Sequence, residues 1–301
     1  MHLAGVGFSV GENKIRVSDL FDDPRLIERT GIEYVYETEG TTSSLVLNAV
    51  KNLGSYSLSQ IEACILVTQS PDDVLPANSI PLASQIGLSN SLIAFDINQG
   101  CSGFVQSLCL MDSLIQKYST IMLLTGDRYR SKLAKSDRST GAVFSDGASA
   151  SVWTSNGPDH ILYESHITDG NKRDWLYQAN NSIHEESCLH MSGAEIWMFT
   201  KSLVVPEIKK AIQFCLDRDL QITGFYMHQA SKVVVEGICK EMPKSVQKVT
   251  PKNYNLFGNT VSSTIPILLK QHPMSHGKKK VTVFAGFGVG LSASTAVFGQ
   301  E

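Results

Sequence analysis

The chain has 301 residues, 42% of them hydrophobic, with 26 basic side chains against 29 acidic ones and a formal net charge of -3. That length and apolar content support one large core or two fused ones and exclude a disordered or fibrous chain. The interleaved charges leave no broad basic footprint for nucleic acid, and the charged share of 18% is below the roughly 25% usual for soluble domains, so oligomerisation is expected.

In chain order, the N-terminal MHLAGVGFSVGENK lacks the charged-then-apolar profile of a secretory signal, and no apolar run reaches the ~18 residues that span a bilayer. A cytoplasmic protein with no membrane contact is expected. Short β-branched segments then alternate with helical patterns. Strands are expected at Ala63–Thr68, Leu92–Asp96, Thr120–Thr125, Ala148–Trp153, Gly224–His228 and Val281–Ala285. Helices are expected at Thr41–Leu53, Ser79–Ile86, Ser102–Lys117, Gly193–Cys215, Lys232–Met242 and Val261–Gln271. This alternation is that of an α/β fold with well-buried strands. Ser155 to Met191, rich in Asn, Asp, Ser and His, has the least pattern and reads as a connection between two α/β halves, 1–155 and 156–301. Lys278-Lys279-Lys280 reads as a solvated turn.

Six scattered cysteines without a CxxC pair argue against disulfides and against a metal centre. Cys64, Cys109, Cys188, Cys215 and Cys239 read as small buried hydrophobes. Cys101 differs, because a strand and a glycine-containing turn deliver it to the start of an amphipathic helix. There the helix dipole favours thiolate. Two further segments carry chemistry: Gly224-Phe-Tyr-Met-His228, a strand ending on a histidine, and Gly258-Asn259, a turn before a small-residue helix. Asp146, in Ser145-Asp-Gly-Ala, reads as a structural carboxylate.

Together these segments closely resemble the β-ketoacyl-acyl-carrier-protein synthase III family of the thiolase superfamily. The resemblance runs through Arg29-Thr-Gly-Ile32, the turn at Cys101, Phe144 to Ala150, His228-Gln-Ala, Gly258-Asn-Thr260 and Gly286 to Ser292. It implies a thiolase fold, with two βαβαβαββ halves in a five-layered α-β-α-β-α arrangement, a homodimer, and a Cys101, His228, Asn259 active site needing no cofactor.

By the same resemblance, Cys101 takes an acyl group from a coenzyme A or carrier-protein thioester. His228 Nε2–H and the Asn259 amide then stabilise the enolate formed by decarboxylation of a malonyl-type thioester. The N–H groups of Cys101 and Val289 would form an oxyanion hole, with Phe287 and Gly288 on the substrate wall. Arg29 and Arg138 are expected to meet coenzyme A, with Arg25 where the family often has an aromatic residue. Leu75, just before Pro76, is expected to cap the partner's acyl pocket and to admit primers longer than acetyl. The chain departs from the family at Val233, where a basic residue is usual, and at Ala293-Ser294, where Trp-Gly is usual. Two other functions stay open: an acyltransferase with His228 as general base, and a partner-dependent, non-catalytic subunit.

Overall fold

The computed structural model describes residues 1–54, 56–134, 136–179 and 188–301. Residues 180–187, within the least patterned stretch, lie outside the described residues. The first sheet contains β1 (His2–Val10), β2 (Ala63–Val67), β3 (Ile93–Ile97), β4 (Thr120–Asp127) and β5 (Gly147–Thr154), in the order β1-β5-β4-β2-β3. β2 is parallel to β3 and β4, while β5 is antiparallel to β4 and β1. The second contains β6 (His160–Thr168), β7 (Gln221–Met227), β8 (Lys280–Gly288) and β9 (Ser292–Gly299), in the order β7-β8-β9-β6.

The second order repeats the first, with β7, β8, β9 and β6 in the places of β2, β4, β5 and β1. Where a counterpart of β3 would lie, the chain makes one backbone hydrogen bond to β7, from Phe225 N to Val249 O at 3.0 Å. Pro251, two residues on, has no N–H with which to extend a ladder.

Between the sheets lie the helices Gly103–Leu114 and Thr264–Gln271. Phe104, Val105, Leu108 and Met111 of the first, with Ile265, Leu268 and Leu269 of the second, join Ile65, Val67 and Leu123 of one sheet to Phe284, Ala296 and Phe298 of the other. Both faces of this layer are therefore apolar, unlike a surface helix with one wet side. Thr42–Lys51 and Ser79–Ile86 cover the outer face of the first sheet. Val205–Asp217 and Lys232–Lys240 cover the second. Five layers result.

Three strands of the two main sheets escaped the sequence reading. β1 is broken by glycines; Gly7 is needed because a Cβ there would lie 2.3 Å from Ala49 O, where the helix Thr42–Lys51 crosses the strand. β9 is rich in small residues. β6 lies inside the stretch read as a connection, and is an edge strand with alternating exposure. The helix expected at Gly193–Cys215 divides into Gly193–Phe199, a π turn at Thr200–Val204 and Val205–Asp217. Pro206 lacks the N–H that would continue the α ladder, which accounts for the wider turn. Among the described residues, no helix is long and apolar enough to cross a membrane.

Candidate active site

Cys101, His228 and Asn259 come from three separate elements and line one cavity of about 620 Å³. Cys101 sits on the turn after β3, with Gly103 N bonded to Gly100 O at 2.8 Å, and no side chain caps the helix that follows. His228 follows β7 directly. Asn259 precedes the short 3-10 turn Val261–Ser263 that leads into Thr264–Gln271. Cys101 and Asn259 thus occupy matching places ahead of the two central helices, one in each half of the topology.

The glycines of Gly286 to Gly290 explain how the thiol is reached. A Cβ on Gly288 would lie 3.0 Å from Cys101 Cβ and 3.1 Å from its Sγ, and one on Gly286 would lie 2.8 Å from Cys101 O. Only hydrogen in those places lets β8 pass against Cys101. Burial pushes the Cys101 thiol above its usual range, and the nearby Asp127 adds to that; a backbone hydrogen bond at Cys101 works the other way. The lowered pKa expected from the helix start is therefore outweighed by desolvation.

His228 is buried, and desolvation lowers it to about 3, with a hydrogen bond to the Val261 backbone opposing that shift. It is neutral at ordinary pH. Its Nδ1 lies 2.9 Å from Thr264 Oγ1, and Thr264 Oγ1 donates to Val261 O at 3.1 Å. With the hydroxyl hydrogen turned to Val261, the Thr264 oxygen accepts from Nδ1–H and Nε2 carries the lone pair. Turned to the ring, the same hydroxyl leaves the proton on Nε2.

Asn259 is fixed by its chemistry. Its Oδ1 accepts from Val261 N at 2.9 Å, so the other end of the amide, Nδ2, is a donor. Its backbone donates to Val143 O at 2.8 Å and accepts from Ser145 N at 2.9 Å, which lays the turn beside Phe144. Val261 has a φ of 56°, left-handed for a β-branched residue, and the bond to Asn259 is part of what holds it there.

The remaining wall is mostly apolar, with Arg29, Thr30, Ser139 and Ser231 as its polar members. Phe287 stands edge-on to His228 with ring centroids 5.6 Å apart. Leu176, Met191, Ile196, Trp197 and Met198 add a side that the sequence reading missed. Gly237 admits Trp197, because a Cβ there would lie 2.2 Å from the indole. Arg29 and Trp197 also line an outer groove of about 910 Å³ with Arg25, Lys201, Lys232 and Lys240 as well as Glu28, Glu236 and Glu241. Val233 lines both spaces. Gly31 lets Lys232 approach the end of the helix Pro24–Thr30: its φ is 62°, and a Cβ would meet Lys232 Cβ at 2.6 Å.

Other expected site residues lie apart from the cavity lining. Arg138 pairs with Asp23, beside the helix Pro24–Thr30. Val289 is not on the cavity wall; its side chain packs on the core and its carbonyl accepts from Ser292 Oγ at 2.7 Å. Leu75 is 84% exposed and Val74 94%, so neither packs within its own chain. Asp146 is structural, accepting from Thr38 N at 3.0 Å and Arg130 N at 2.8 Å. Cys188, expected to be buried, is exposed; it precedes the short strand His190–Met191 and lies in no helix or strand with an apolar face.

Asp127, at the end of β4, was missed because a lone Asp on an apolar strand carries no motif. It is fully buried, and accepts from Gln69 N at 2.7 Å and from Ser70 Oγ at 3.2 Å. Burial raises it to about 7 despite these donors.

The family models agree with this geometry. The model described as 3-oxoacyl-[acyl-carrier-protein (ACP)] synthase III matches residues 95–170, and its C-terminal counterpart matches 218–299. β-Ketoacyl-[acyl-carrier-protein] synthase III of Lactococcus lactis subsp. lactis is 30% identical, with 97% of each chain covered. The protein of that name from Streptococcus agalactiae is 27% identical over 97% of this chain and 94% of its own. A crystal structure of 3-oxoacyl-(acyl-carrier-protein) synthase III superposes with a TM-score of 0.87 at 25% identity, covering 98% of both chains. The five-layered α/β architecture is thus the thiolase fold, and the chain belongs to the 3-oxoacyl-[acyl-carrier-protein] synthase III family of condensing transferases.

Proposed function

We propose that the chain forms an acyl-enzyme on Cys101 and condenses it, with loss of carbon dioxide, onto a malonyl-type thioester. The observation that carries this reading is the fixed Asn259 amide, whose Oδ1 is held by Val261 N so that Nδ2 is a donor lining the same cavity as the thiol. In the first half-reaction Cys101 Sγ attacks the thioester carbon, its proton passes to His228 Nε2, and the leaving thiolate takes that proton as the donor thiol departs. In the second, carbon dioxide leaves the malonyl group. The enolate oxygen is stabilised by Asn259 Nδ2–H and by His228 Nε2–H once the Thr264 hydroxyl has turned to Nδ1. The enolate carbon then attacks the Cys101 thioester, and the thiolate leaves as the β-ketoacyl product forms.

The donor enters through the outer groove, where Arg29 and its basic neighbours suit the phosphates of coenzyme A or of a carrier-protein arm. Leu75 projects from the chain as a residue capping a partner's pocket must, which supports a homodimer with shared acyl pockets. Incubation with an acyl thioester should add one acyl mass, absent in Cys101→Ala, and subsequent malonyl thioester should convert it to a β-ketoacyl product. Acyl mass on another cysteine, or no adduct with any chain length, overturns this reading.

One observation favours a second reading. With the Thr264 hydroxyl on Val261 O, Nε2 holds a lone pair, the form a general base needs to activate a hydroxyl or amine acceptor without decarboxylation.

A further inference from the structure

Away from the cavity, Cys109, Glu164 and His166 bring their ligand atoms within 4.8 Å of one another. Cys109 lies on the helix Gly103–Leu114, eight positions after the nucleophile. Glu164 and His166 are alternate residues of the edge strand β6, so they share a face. No spacing rule could reveal this set, because its members come from two elements more than fifty positions apart. We infer that these three residues form a binding site for a divalent metal ion of the zinc class, tying the central helix to the edge of the second sheet.

Geometry supports the inference first. Glu164 Oε2 and His166 Nε2 are 3.8 Å apart. Ligand atoms about 2.0–2.2 Å from a tetrahedral zinc stand roughly 3.4 Å from each other, so small side-chain movements close the site. The imidazole is already oriented. His166 Nδ1 lies 2.9 Å from Ser294 Oγ on β9, so with a cation on Nε2 the Nδ1–H would donate to that hydroxyl. Such an outer hydrogen bond is the usual support of a metal-bound histidine. Ser294 belongs to the pair at which this chain departs from the Trp-Gly of its family resemblance.

Charge supports it next. Glu164 pairs with His166 and stands against the Cys109 thiol. A bound cation would displace the thiol proton to solvent, neutralise this acidic corner and leave a fourth position for water. Thiolate, imidazole and carboxylate together select zinc over magnesium or calcium. None of the three residues lines the catalytic cavity, so the inference does not depend on the proposed reaction.

Cobalt(II) titration of the chelator-stripped, full-length protein tests it. One Co²⁺ should bind per chain with a thiolate-to-cobalt charge-transfer band and release of a proton, and Zn²⁺ should displace it. The band should vanish in Cys109→Ser and persist in Cys101→Ala and Cys188→Ala. Because Cys109 is buried, the exposed ligands give the companion measurement: Glu164→Gln and His166→Gln should fold normally and bind at least about tenfold more weakly. Zn²⁺ should raise the melting temperature of the wild type but not of Glu164→Gln. An absent band, a band that survives Cys109→Ser, or unchanged affinity in both exposed variants overturns the site.

Discussion

His228 Nδ1 and Thr264 Oγ1 stand 2.9 Å apart, and the hydroxyl that joins them can face either the ring or Val261 O. One threonine thereby sets which nitrogen of His228 carries the proton. Thr264→Val, similar in shape but without the hydroxyl, should leave Nδ1–H directed at the Val261 backbone and Nε2 unprotonated. Loading of Cys101 should survive within several-fold, while carbon dioxide release from malonyl thioester should fall by about 10², the usual cost of one lost oxyanion donor. Thr264→Ser should restore it. Equal losses in both half-reactions would reduce Thr264 to a packing residue.

Asp127 predicts a pH dependence of stability. Unfolded, it ionises near 3.8; folded, at about 7. Between those values the unfolded chain has released a proton that the folded one still holds, so this group's contribution falls as pH rises through the window and is fully unfavourable above it. Asp127→Asn should therefore gain on the wild type from pH 4 to 7 and keep a constant lead beyond, of the order of a few kcal/mol. Urea unfolding at pH 4.5, 6 and 8 measures this. Parallel curves would contradict it.

Gly288→Ala places a methyl 3.1 Å from Cys101 Sγ. Since a displacement of about 1 Å costs on the order of 10² in rate, acylation of Cys101 should fall at least that far. The change lies at one contact on an otherwise packed strand, so circular dichroism should stay native-like. Normal acylation in this variant would mean that β8 does not constrain the thiol.

In the proposed dimer, Leu75 would govern primer length. The wild type should load butyryl and longer primers, each added buried methylene contributing ~0.8 kcal/mol, and Leu75→Phe should shift loading towards acetyl. An acetyl-only wild type, or an unchanged profile in Leu75→Phe, removes Leu75 as the gate.

What the sequence could reveal follows from how each feature is encoded. Cys101, His228 and Asn259 each sit where an element ends, so a strand-turn-helix pattern placed them, and their approach in space followed from the family resemblance. The central helix was legible because Phe104, Leu108 and Met111 repeat at helical spacing. β6 was not, since an edge strand in a polar stretch has half its residues in water and little apolar period. Trp197 and Met191 also stayed hidden, because a cavity wall assembled from distant segments leaves no local signal. Asp127 was invisible for a related reason: its role depends on burial, which one residue among apolar neighbours does not announce.

The central claim is that Asn259 serves the decarboxylating half-reaction and not the loading of Cys101. Asn259→Ala should be assayed for both in one experiment, with intact mass reporting the Cys101 adduct and labelled malonyl thioester reporting carbon dioxide. Acylation should stay near the wild-type rate, and carbon dioxide release should fall by about 10²–10³. Condensation at nearly the wild-type rate would contradict it and leave the non-decarboxylating acyltransferase as the better reading.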